Sequence, residues 1–166
     1  MKLSNVDIEP DEIKTLNSPD NFKKEITTDD ARISTDMPIV IKYDYIDLGK
    51  TKYSFRQPFR LRDTQTYFKM MKTISSNTIN TLSDNARKYH FYRTPIVGKL
   101  EEIMKRVIPD AVKTNQIVFH FALYTNKNKA DRISDTRSPR IYFILGTNGF
   151  IYPIFFDPYH EIQQMK

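Results

Sequence analysis

Apolar and polar positions alternate most clearly in the last third of the chain. Over residues 117–124, Ile117, Phe119, Phe121 and Leu123 share one face and Val118, His120, Ala122 and Tyr124 the other. That period of two belongs to a β-strand. Residues 140–145 and 150–156 are nearly continuous apolar runs joined by Gly146-Thr147-Asn148-Gly149, and Asn-Gly between two such runs is a strong hairpin signal. Earlier in the chain, residues 39–46 read as a further strand. Asp47-Leu48-Gly49-Lys50 supplies a turn after it, and residues 52–59 return as a hairpin partner with Tyr53 and Phe55 on one side and Ser54 and Arg56 on the other. Pro153 lacks the N–H that a sheet ladder needs, so the last strand takes an edge position or a bulge there.

Between these strands the apolar period changes to the helical one. Asp63 caps a helix over 64–74 whose buried stripe is Tyr67, Phe68, Met71 and Ile74. A short helix begins at Thr78, and another covers 97–107 with Leu100, Ile103, Met104 and Val107 inward and Pro109 ending it. Glu101 and Lys105 stand four apart in the favourable order on its outer face. Residues 126–139 form a long polar connection carrying Lys127, Lys129, Arg132 and Arg137, the kind of loop that holds binding groups. These elements predict one α+β domain, with an antiparallel sheet in the C-terminal half and two or three short helices. Residues 1–36 read as an acidic N-terminal extension and residues 37–166 as the basic domain.

Charge sharpens that division. The chain has 166 residues and a net charge of +6; residues 1–36 hold five basic and nine acidic side chains, and the remainder 21 basic and 11 acidic, so −4 is set against +10. A basic body attracts phosphate backbones or acidic proteins. RNA, single-stranded DNA and an acidic protein partner are therefore the partners expected, with the acidic extension competing for the same surface. Lys50, Lys52, Arg56, Arg60 and Arg62 follow one another without an intervening acid, and Tyr53 lies among them as a ring for base stacking. A solvated strand with a charged edge accounts for the same run. No stretch reaches the roughly 18 apolar residues of a membrane span, and the first residues lack a signal-peptide core. The expected compartment is the cytoplasm, and no membrane partner is expected.

The missing chemistry is as informative. With no Cys, thiol catalysis, disulfides and thiolate zinc sites are excluded. Four glycines form neither a phosphate-binding loop nor a dinucleotide fingerprint. His90, His120 and His160 are the only histidines, and their wide separation argues against a joint metal site; no metal and no cofactor is expected. The compact polar group is Asp157-Pro158-Tyr159-His160-Glu161 at the exit of the last strand. Asp157 either caps a terminal turn or orients His160 for proton transfer, and Arg140 or Arg137 is the basic partner for charge on a phosphorane. His160, Asp157 and Arg140 are thus the candidate catalytic residues for metal-independent RNA cleavage. The competing expectation is a non-catalytic interaction or nucleic-acid-binding protein of phage or plasmid type.

The run from Arg140 to Leu145, the short turn, and Phe150 through Phe156 ending in Asp157-Pro158-Tyr159-His160 resembles the tail of a family of small uncharacterised proteins of low-GC bacteria. That resemblance implies a recurring Asp-Pro-x-His ending and assigns it no chemistry. In general character, a small basic body with helices before an antiparallel sheet is similar to the ribonuclease toxins of bacterial toxin–antitoxin pairs, which implies RNA as substrate and an antitoxin as protein partner.

Overall fold

The computed structural model describes residues 35–56, 61–113, 116–123 and 139–162. The expected N-terminal extension, apart from its last two residues, and the connection 126–138 lie outside the described residues, as does Arg60. Five strands form one mixed sheet: β1 (Val40–Ile41), β2 (Tyr92–Thr94), β3 (Val118–Ala122), β4 (Arg140–Leu145) and β5 (Phe150–Asp157), in the spatial order β1-β5-β4-β3-β2. Among the described residues there are five helices: α1 (Leu61–Ser75), α2 (Ile79–Asp84), α3 (Ala86–Tyr89), α4 (Gly98–Val107) and α5 (Pro109–Lys113). The expected α+β domain is therefore present, but with more helices than the two or three expected and with one parallel strand pair.

The alternation read over 117–124 holds through Leu123, and Tyr124 lies outside the described residues. Phe119, Phe121, Ile141, Phe143, Leu145, Ile151 and Phe156 join the stripe of α1 and α2 on one face of the sheet. Val118, Tyr142, Ile144, Ile154 and Phe155 join Leu100, Ile103, Met104 and Ala111 of α4 and α5 on the other. Because both faces are covered, β4 and β5 read as continuous apolar runs rather than as alternating ones. Asn148 (φ 55°) and Gly149 (φ 74°) form the two-residue turn between them, closed by Phe150 N–H donating to the Thr147 carbonyl at 3.0 Å. Positive φ at both central positions is what Asn-Gly tolerates. In β5 the register slips opposite Tyr142 and Phe143, so that Phe155 faces Tyr142 while Pro153 faces Phe143. Ile154 is the extra residue, and the missing Pro153 donor is accommodated by this bulge.

Three expectations are corrected. The strand expected over 39–46 shrinks to Val40–Ile41 and runs parallel to β5; the helices and strands between them provide the long crossover that parallel neighbours require. Residues 52–56 are not a hairpin strand. The buried Asp47 carboxylate accepts from the N–H of Gly49, Lys50 and Thr51 at 2.9, 2.7 and 3.0 Å and from Thr51 Oγ1 at 2.6 Å, winding the segment into a loop. In α1, Met70 takes the inward position and Phe68 is 62% exposed. Tyr67, Met70, Met71 and Ile74 keep the helical period; Phe68 lies a third of a turn outside it. Pro109 does not merely end α4 but opens α5, a position where its missing N–H costs nothing.

Candidate anion site at the β3–β5 end

Strand pairing carries distant residues into two lateral rows on the α4 face of the sheet. The first row is Tyr92, His120, Tyr142 and Phe155, each the partner of the next. The ring centroids of Tyr92 and His120 are 5.9 Å apart, and those of His120 and Tyr142 are 5.4 Å apart. The second row begins at His90, whose carbonyl accepts the Ala122 N–H at 3.3 Å. Ala122 pairs with Arg140, and Arg140 with Asp157. His160 follows three residues beyond, held in the left-handed region (φ 54°) as His90 is (φ 48°). Ala122 is the smallest residue in this row and is itself buried.

Arg140, His90 and His160 all lie within electrostatic reach of His120, and Arg140 within reach of His90. His120 is 7% exposed, and its Nδ1 lies 2.6 Å from Thr94 Oγ1. Burial pushes its pKa down to about 3, and the positive charges of Arg140, His160 and His90 press in the same direction. Burial, and then Arg140, also lowers His90. Burial lowers the Arg140 guanidinium from its ordinary value, while Tyr142, Asp157 and Tyr92 act against that; an arginine so placed remains a cation. Tyr142 Oη is buried and, among the described residues, has no hydrogen-bond partner. Buried polar atoms without a partner are rare and call for an explanation.

Asp157 is fully buried, and its two oxygens accept the backbone N–H groups of Glu161 at 3.0 Å and Ile162 at 2.7 Å. It therefore caps the turn that carries His160 and stands opposite Arg140. Its link to His160 runs through the backbone. Glu161 Oε2 accepts from Lys52 Nζ at 2.6 Å and from the Tyr53 hydroxyl at 2.9 Å, with Lys99 Nζ at 3.7 Å. The hydrogen bond from Lys52 holds Glu161 below the usual carboxylate range and raises Lys52 in turn. Tyr53 is 3% exposed, with Lys52 and Lys99 over its ring, so its face belongs to the core and not to a nucleobase.

Of the residues singled out from the sequence, Arg140, Asp157 and His160 come together. Lys52 reaches the same region through Glu161, while Lys50 and Arg56 are exposed on the adjoining loop. Arg60 and the Arg62 side chain lie outside the described residues. His90, His120, Tyr92 and Tyr142 belong to the cluster and were not singled out, because only the register of β2 on β3 on β4 assembles them. Among the described residues no His, Asp and Glu side chains form a group of three or more fit to hold a metal ion. Nor is any described helix long and apolar enough to cross a membrane. Neither a family model, a curated protein nor a solved structure matches the chain.

Proposed function

We propose that the chain is a metal-independent endoribonuclease whose reacting centre lies at Arg140, between His90 and His160. The observation that carries this reading is that His90 and His160, 70 positions apart, and the partly buried Arg140 all lie within electrostatic reach of His120. In the reaction the 2′-hydroxyl of the substrate attacks the adjacent phosphorus and gives its proton to a neutral imidazole. The P–O2′ bond forms, the P–O5′ bond breaks, and the departing 5′-oxygen takes a proton from an imidazolium. The products are a 2′,3′-cyclic phosphate and a 5′-hydroxyl. His90, kept neutral by burial and Arg140, is the base, and His160 is the acid; His120 is too weak a base for either step and orders the row instead. Arg140 meets the charge on the non-bridging oxygens. Lys50, Lys52 and Arg56 supply the approach for the strand.

The test is cleavage of a single-stranded RNA by wild-type protein and by His160→Ala, His160→Asn, His90→Asn and Arg140→Ala, purified identically. Asn tolerates the left-handed backbone at both histidine positions, which keeps folding apart from chemistry. Each histidine variant should lose about 100- to 10,000-fold, and wild-type activity should survive a chelator. Equal cleavage by all, or none by the wild type, removes the reading.

A further inference from the structure

The ring row Tyr92–His120–Tyr142 runs from the sheet's open edge into its interior. Tyr142 is fully buried, His120 nearly so, and Tyr92, on the last strand of the sheet, is 41% exposed. The rings are tilted to one another, by 43° between Tyr92 and His120 and 39° between His120 and Tyr142, and the half-exposed Tyr92 ring at the end of the row offers a face on which a planar base can stack. The phenol of Tyr92 also lies within electrostatic reach of Arg140, so a base stacked there has its phosphate near the guanidinium. Base pairing would hide that base face inside a duplex, and a strand with unpaired bases exposes it. The β2 edge is also three residues long, with Pro95 immediately after it, which limits its use for pairing with another strand.

We infer that Tyr92 is a nucleobase-stacking site that makes single-stranded nucleic acid, with an unpaired base beside the Arg140-bound phosphate, the ligand of this cluster. The inference rests on the ribonuclease reading for its choice of nucleic acid, but it concerns binding alone.

The chain contains no Trp, so Tyr92→Trp introduces a single indole at the site. The probe is a 2′-deoxy single strand of about twelve nucleotides, which lacks the attacking hydroxyl and cannot be cleaved by this route. It is compared with the same strand in a duplex and with inorganic phosphate. The single strand should quench the indole emission, and the duplex and phosphate should leave it nearly unchanged. Tyr92→Ala should weaken single-strand binding by about ten-fold or more, within the range of one base–aromatic stack, and Tyr92→Phe should restore it. Equal quenching by duplex and single strand, or unchanged affinity in the folded Tyr92→Ala protein, overturns the inference. Quenching by the single strand without any RNA cleavage by the wild type upholds the stacking site and removes the ribonuclease. Cleavage by the wild type that Tyr92→Ala leaves intact in rate and in preference for unpaired strands does the reverse.

Discussion

His120 couples the site to the stability of the fold. Its pKa in the folded protein is about 3, set by burial and by Arg140, His160 and His90, against about 6.5 in an unfolded chain. The unfolded state therefore binds the proton that the folded state refuses, and stability rises with pH through this interval. The contribution is complete above about pH 6.5 and declines as pH falls toward 3. At 1.36 kcal/mol for each pH unit, acidification from 6.5 to 5 costs about 2 kcal/mol. Denaturant unfolding of the wild type at pH 7.5 and 5 should show a loss of that size. His120→Gln, which keeps a polar partner for Thr94 but cannot titrate, should show less by about the same amount. An identical pH dependence in the two proteins would mean that the imidazole is not the group responsible. Thr94 itself is buried, with its hydroxyl 2.6 Å from Nδ1; without it, a buried imidazole nitrogen loses its partner.

The turn after β5 shows how an element positions a side chain it does not touch. Asp157 holds the N–H groups of Glu161 and Ile162 and stands in register with Arg140. Asp157→Asn keeps the shape but replaces one acceptor oxygen by a donor and removes the charge facing the guanidinium. A buried group left without its hydrogen bond costs about 1–3 kcal/mol, and that loss should appear in denaturant midpoints. Because the turn carries His160, cleavage should also fall, and in the His160→Ala background the same substitution should cost stability but no further activity. An equal additional loss of activity in both backgrounds would give Asp157 a role independent of His160. Much at this scale was legible. The Asn148-Gly149 turn, the alternation of β3, the inward face of α4 and the choice between edge and bulge imposed by Pro153 all follow from local chemistry. Residues 52–56 were misread because their alternation comes from a loop wound around Asp47, whose four hydrogen bonds leave no trace in the apolar pattern. The three residues of β2 are too few for any period, and so Tyr92 and His120 could not be recognised as partners.

Across the whole molecule, the charge that the sequence presents as uncompensated is partly compensated. Lys50, Lys52 and Arg56 have no acid between them, yet Glu161, 109 positions from Lys52, binds Lys52 Nζ at 2.6 Å and lies 3.7 Å from Lys99 Nζ. Only the docking of the C-terminal turn against the loop after β1 brings them together. These groups are solvent-exposed, and a surface ion pair contributes about 0–1 kcal/mol to stability, so Glu161 can be changed without loss of the fold. On the proposed reading, the same carboxylate withholds two cations from a phosphate backbone beside His160. Glu161→Gln retains an oxygen for the Tyr53 hydroxyl, releases Lys52 and Lys99, and should strengthen binding of a non-cleavable single strand at low salt by about two- to five-fold, the scale of one exposed ion pair. The gain should be electrostatic: the logarithm of the binding constant should fall more steeply with the logarithm of salt, by about 0.7 for each additional phosphate neutralised on a single strand. Lys52→Gln should lower affinity less than Lys50→Gln or Arg56→Gln, because its charge is already spoken for. Titrations of the wild type and the four variants at 50 and 200 mM salt decide the matter: equal or weaker binding by Glu161→Gln would separate the Lys52–Lys99 region from the path of the nucleic acid.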